Sequence, residues 1–133
     1  MPLPPRAGFI AMKHILIIDD APIIRRYGRL IFESLGFRVS EAETEAEAIE
    51  RSSSDNPDYV LVDWIIPGVS SLELIAKLRR TLVENPPYII YLTTENDAAE
   101  ISKAFKVGAD DYLLKPFNRD IVEMKLHEIA VAA

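Results

Sequence analysis

The chain has 133 residues, 49% of them hydrophobic and 27% charged, which suits one globular domain with a substantial core. No apolar run approaches the roughly 18 residues of a membrane span. The absence of cysteine removes disulfides, thiolate zinc sites and cysteine nucleophiles, and a cytoplasmic protein is expected. A formal net charge of -6 repels a phosphate backbone, so neither direct nucleic-acid binding nor membrane association is expected.

Residues 1 to 12 carry Pro2, Pro4 and Pro5 and an apolar stretch too broken for a secretory signal. They read as a flexible arm ahead of one domain over 13–133. Ile15-Leu16-Ile17-Ile18 is a strand-like run that ends in Asp19-Asp20. After Pro22, the residues Ile23, Ile24, Tyr27, Leu30, Ile31, Ser34 and Leu35 recur at helical spacing until Gly36. This predicts a helix of about four turns, with Arg25, Arg26 and Arg29 on a solvated face away from that stripe. Phe37-Arg38-Val39-Ser40 alternates as an edge strand does, and it has no chemically useful end.

Thr44-Glu45-Ala46-Glu47 caps a short acidic helix predicted to run to about Ser53. Tyr59-Val60-Leu61-Val62-Asp63-Trp64 reads as a buried parallel strand that stops on a carboxylate. Past Ile66-Pro67-Gly68, Ser70 and Glu73 form a capping box for a helix carrying Leu72, Ile75, Leu78 and Leu82. Tyr88-Ile89-Ile90-Tyr91-Leu92 then runs into Thr93-Thr94. Asp97 caps a helix built on Ile101, Ala104 and Phe105, and Gly108 closes it. Tyr112-Leu113-Leu114 leads into Lys115-Pro116, and Asn118 caps a last helix with Ile121, Val122, Met124, Lys125 and Ile129. His14 and His127 are expected at the surface.

Strand followed by helix five times predicts an α/β fold with a parallel sheet covered by helices on both faces. The strand ends of such a sheet lie on one edge, where ligands bind. Asp19, Asp20, Asp63, Thr93 and Lys115 would therefore meet. Taken singly, Asp20 serves equally as a helix cap, Thr93 as a turn cap and Lys115 as an exposed lysine. Together they have a charge problem, because two carboxylates about 4 Å apart repel by roughly 4 kcal/mol at a protein surface. At least one carboxylate pKa should rise. Three negative charges, Lys115 and one divalent cation sum to zero, and oxygen ligands select a hard ion such as Mg2+.

Ile17-Ile18-Asp19-Asp20, Asp63 with Pro67 four residues on, Leu92-Thr93 and Tyr112-Leu113-Leu114-Lys115-Pro116-Phe117 together resemble the response-regulator receiver family. The likeness spans roughly residues 13 to 131 and is nearest its stand-alone chemotaxis-type members. It implies a flavodoxin-like, doubly wound, five-stranded sheet in the order 2-1-3-4-5. By the same resemblance, Asp63 takes a phosphoryl group from a histidine kinase or histidine phosphotransfer protein. Asp20, Asp63, the Ile65 carbonyl and, through water, Asp19 would hold Mg2+. Lys115 and Thr93 would contact phosphoryl oxygens, and Tyr112 would report a shift of Thr93. Such a protein is a phosphoacceptor that assists its own phosphorylation and dephosphorylation rather than an enzyme acting on others. Two departures stand out: Ser70-Ser71 replace the common Asp-Gly, and Thr94 stands where a smaller residue is usual.

Because the chain stops soon after its fifth predicted helix, a stand-alone regulator is expected. The first helix with Arg25, Arg26 and Arg29 would dock the phosphodonor, and the last two helices would bind a downstream protein or a second copy. The rival reading is a receiver-like adaptor that is not phosphorylated. A haloacid-dehalogenase-like phosphatase needs a D-x-D arrangement that Asp19-Asp20-Ala21-Pro22 lacks, and two carboxylates after the first strand would repel the phosphate of a flavin.

Overall fold

The computed structural model describes residues 13–66, 68–94 and 98–132. The predicted arm over 1–12, Pro67 and the predicted cap Asp97 lie outside them. Five strands, β1 (His14–Ile18), β2 (Arg38–Ala42), β3 (Tyr59–Asp63), β4 (Tyr88–Thr93) and β5 (Asp111–Leu114), form one parallel sheet. They alternate with helices α1 (Pro22–Ser34), α2 (Glu45–Asp55), α3 (Ser71–Thr81), α4 (Ala98–Val107) and α5 (Arg119–Ala132). The order across the sheet is β2-β1-β3-β4-β5, as expected.

Side chains alternate between the faces of a strand, and here both faces are covered, which is why the inner strands are apolar without interruption. Leu16, Ile18, Val60, Val62 and Ile89 pack with Ala48, Leu74, Leu78 and Ala104 of α2, α3 and α4. Ile15, Ile17, Leu61, Ile90 and Leu92 pack with Phe32, Val122 and Ile129 of α1 and α5. Gly28 sets the depth of α1, since a Cβ there would meet Ile17 Cδ1 at 3.1 Å. Thr44 and Ser70 cap α2 and α3 by accepting from Glu47 N and Glu73 N, and Asn118 Oδ1 accepts from Ile121 N at the start of α5.

Several local expectations change. The apolar stripe on α1 is split: Ile31 and Phe32 are buried with Gly28, whereas Ile23 is 80%, Leu30 62% and Tyr27 44% exposed. Ile121 and Met124 on α5 are likewise exposed, and Val122 and Ile129 make the buried contact. β2 begins at Arg38 and runs to Ala42, and Glu41 gives it a charged end after all. α2 continues to Asp55, where Asn56 adopts a left-handed conformation with φ of 47° and ends it. A two-residue hairpin, Ile65–Ile66 against Val69–Ser70, follows β3 and had no sequence signal.

His127 is exposed, as expected, but His14 is not at the surface. Only 3% of it is exposed, with Nε2 2.6 Å from Ser40 Oγ and Nδ1 3.3 Å from the Arg38 guanidinium. Burial, and after it the charge of Arg38, pushes the imidazole below the ordinary 6.5, against the weaker pull of Asp55 and Asp58. The native state therefore binds fewer protons here than the unfolded chain between the lowered value and 6.5. Stability contributed by neutral His14 is complete above 6.5 and is lost as pH falls through that window. An NMR titration should place the His14 midpoint below 6.5, and His14→Gln should lose less Tm than the parent between pH 7 and pH 5. A midpoint above 6.5 would contradict this account.

Candidate functional site

The site lies where β1, β3, β4 and β5 end. β1 stops at Ile18, and the chain bends so that Asp19 N donates to Ala42 O at 3.0 Å while Asp19 Oδ1 accepts from Ala21 N at 2.9 Å. α1 starts on Ala21 with Pro22 in its first turn and no side-chain cap, so Asp20 is not spent as a helix cap and stays exposed. Asp63 is the last residue of β3, buried, with Oδ2 accepting from Ile65 N at 3.3 Å. Thr93 closes β4 and is fully buried. Lys115 N donates to Thr93 O at 2.9 Å, which fixes the end of β5 against β4.

From that anchor the Lys115 ammonium reaches across to β3 and β1. It lies 2.5 Å from Asp63 Oδ1 and 3.5 Å from Asp19 Oδ2. Both oxygens are buried, and among the described residues the Lys115 ammonium is the one donor group that approaches them. One oxygen each from Asp19, Asp20 and Asp63 lie within 4.8 Å of one another. Burial raises the Asp63 pKa above its ordinary 3.8; the Lys115 ammonium opposes this, and the Asp19 charge adds to it. The expected upward shift is present, with desolvation rather than repulsion as its main cause. Two buried carboxylate oxygens that share a single ammonium and an exposed third carboxylate, all hard donors with a net negative charge, fit a divalent cation such as Mg2+.

The other predicted residues fall around this centre. The Ile65 side chain is exposed beside Asp63, and Thr94 is exposed at an apolar cavity of about 300 Å³ lined also by Ile24, Tyr27, Lys115, Pro116 and Phe117. Tyr112 is half-buried one strand away, its ring edge-on to Phe105 and capped by the Lys125 ammonium 5.0 Å from its centroid. Of the three arginines only Arg26 is exposed. Arg25 donates to the Asp19 carbonyl at 2.7 Å and pairs with Glu41 at 3.0 Å, and Arg29 pairs with Glu41 at 2.6 Å. Burial opposes it, but those two guanidiniums hold the Glu41 carboxyl below its usual range.

Three contributors were missed. Glu41 steadies Arg25 beneath Asp19, Asp111 holds Lys125 at 2.9 Å over Tyr112, and Ser71 Oγ donates to the Asp63 carbonyl at 2.6 Å. None has a local signal, because each contact joins residues that only the folded chain brings together. The replacement of Gly by Ser71 was visible as a departure without a purpose.

Residues 15–127 match the family model of the response regulator receiver domain. The chain is 37% identical over 111 residues to the phosphate regulon transcriptional regulatory protein PhoB of Pseudomonas aeruginosa, covering 83% of this chain and 48% of that protein. It thus spans about half the length of such curated relatives. Its fold superposes on chemotaxis protein CheY4 of Vibrio cholerae with a TM-score of 0.82 and 26% identity, covering 88% of this chain and 98% of that one. It also superposes on the receiver domain of a sensor histidine kinase of Pseudomonas aeruginosa, with a TM-score of 0.77, 25% identity and coverage of 88% and 96%. That structure holds a magnesium ion coordinated in its active site cleft.

Because burial disfavours the charged form of the Asp63 carboxyl, removing its charge relieves the fold. In EDTA at pH 7, Asp63→Asn should melt above the parent protein. Between 3.8 and the raised value the native state binds more protons than the unfolded chain, so the gain should shrink as pH falls through that window. Thermal melts across pH check both the sign and the trend.

Proposed function

Since the chain belongs to the response regulator receiver family, we propose that it works in a two-component phosphorelay, taking a phosphoryl group onto Asp63 from the phosphohistidine of a histidine kinase or histidine phosphotransfer protein. The observation that carries this reading is the Lys115 ammonium poised between buried oxygens of Asp63 and Asp19 that no other donor group among the described residues meets. An Asp63 oxygen attacks phosphorus, the P–N bond breaks, and the imidazole departs. Burial leaves Asp63 poorly hydrated and therefore readier to attack. Lys115, already in contact with the Asp63 carboxylate, stays an ammonium and shifts its ion pair to a phosphoryl oxygen as the carboxylate becomes an acyl phosphate. The Thr93 hydroxyl offers a hydrogen bond to a second phosphoryl oxygen.

Asp20, Asp63 and the Ile65 carbonyl would hold Mg2+, with Asp19 acting chiefly through water. When bound, Mg2+ supplies the positive charge that three carboxylates and one lysine lack, together with a coordination position for phosphate. Movement of Thr93 toward the phosphoryl group is coupled to Tyr112, whose ring is held by Phe105 of α4 and Lys125 of α5. The two helices and β5 then form the responding face, and its exposed Phe105 and Met124 suit a protein partner or a second copy. The phosphodonor docks on α1, where Ile23, Tyr27 and Leu30 are exposed with Arg26 among them and Arg25 and Arg29 at their flank.

Incubation with Mg2+ and a small-molecule phosphodonor should add one phosphoryl mass to the intact protein, mapped to Asp63 and missing from Asp63→Asn. In Trp64 fluorescence titrations, Asp20→Ala should weaken Mg2+ binding by about tenfold or more, the scale of one lost charged ligand. Unchanged affinity would remove Asp20 from the metal set.

Leu30→Asp should slow transfer from the protein donor by about tenfold, the cost of uncovering one docked apolar side chain. It should leave the small-molecule donor's rate unchanged, because only the protein donor needs α1. Equal losses with both donors would refute docking at this helix.

A further inference from the structure

β3 runs one residue beyond its pairing with β1. The register between them closes at Ile18 and Val62, and Asp63 is paired only across to Leu92. Its buried carbonyl needs a donor from elsewhere. The donor is Ser71 Oγ, at 2.6 Å, from eight residues further along the chain. Ser71 is the first residue of α3 and only 4% exposed. Its neighbour Ser70 already accepts from Glu73 N, so the Ser71 hydroxyl is not needed to start the helix.

The same hydrogen bond closes a loop on which the site is built. Between Asp63 and Ser71 lies the hairpin that pairs Ile65 with Ser70 and Ile66 with Val69. Ile65 N donates to Asp63 Oδ2 at 3.3 Å. The acceptor residue is therefore held at both ends, its carboxylate by Ile65 and its carbonyl by Ser71, and Ile65 is itself held by the strand that ends just before Ser71. A glycine at 71 would have no hydroxyl with which to make this closure.

We propose that Ser71 is a positioning residue for phosphoryl transfer. Its hydroxyl closes the 64–70 loop onto the end of β3 and so sets the Asp63 carboxylate and the Ile65 carbonyl relative to Asp20 and Lys115. This rests on the reading of Asp63 as the acceptor. Ser71 touches neither the phosphoryl group nor the metal ion, and acts only through the backbone of Asp63 and the hairpin.

The test compares the full chain with Ser71→Ala and Ser71→Thr at a temperature well below their melting points. Three quantities are read: the Ile65 amide resonance in metal-free protein, Mg2+ affinity from Trp64 fluorescence, and the initial rate of labelling by phosphoramidate at saturating Mg2+. Ser71→Ala should move the Ile65 resonance, weaken Mg2+ binding several-fold and slow labelling about tenfold, as a misplaced acceptor requires. Ser71→Thr, which keeps the hydroxyl, should restore all three. If Ser71→Ala changes Tm alone, the hydroxyl only satisfies a buried carbonyl and the proposal is overturned. Should Ser71→Ala fail to fold, Ser71→Gly takes its place under the same criteria. A parent protein that accepts no phosphoryl group, or accepts it away from Asp63, overturns the acceptor reading and this proposal with it. A parent labelled at Asp63 with a variant equal to it overturns this proposal alone.

Discussion

The ammonium of Lys115 is what allows two buried carboxylates to face each other. Asp19 and Asp63 lie at the ends of adjacent strands at the same edge, almost without exposure, and each has an oxygen that only this ammonium approaches among the described residues. At an effective dielectric of about 20, one such pairing costs about as much as burying one or two large aliphatic side chains returns. The position of that ammonium follows from the sheet. The Lys115 amide is tied to Thr93, so the side chain extends from the end of β5 over β4 to β3. A parallel arrangement is required, since only then do all these strand ends point the same way. The compensation is partial, and the site is left short of positive charge. That deficit makes it receptive to a cation rather than merely stable.

Much of this was legible in the chain because continuous apolar runs mark doubly covered strands, and because each such run ended in a residue with chemistry. Asp19, Asp20, Asp63, Thr93 and Lys115 could be placed at one edge from topology alone. The faces of α1 could not. Ile23-Ile24 and Leu30-Ile31 put apolar residues side by side, so periodicity admits two stripes, and the choice is made by Gly28, whose missing side chain brings that face down onto Ile17. His14 was misread for a related reason. Its partner Ser40 lies diagonally across the β1–β2 register, 26 residues away, and the contact exists only once those strands are paired. Ser71 reaches Asp63 only after an unforeseen hairpin has formed.

α1 shows how one element can brace the fold on one side and keep an apolar surface exposed on the other. Its inward side supplies Ile31 and Phe32 to the core and Arg25 to the Asp19 carbonyl, so it braces the acidic corner from below. Glu41 holds Arg25 and Arg29 at once, and the helix is thereby tied to the edge strand as well as to the sheet. Its outward side carries Ile23, Tyr27 and Leu30, apolar side chains whose exposure the fold itself does not require.

The close seat of Gly28 on Ile17 has a bearing on how such a protein can diverge. A helix with no slack against its sheet presents its outer residues from a fixed platform, and those residues can be exchanged without moving the acidic corner behind them. The outer surface of the helix and the acidic corner then become separately heritable traits. A duplicated copy could exchange positions 23, 27 and 30 while its acidic corner stayed intact, and two such copies could come to differ in what they touch without any change at the corner itself.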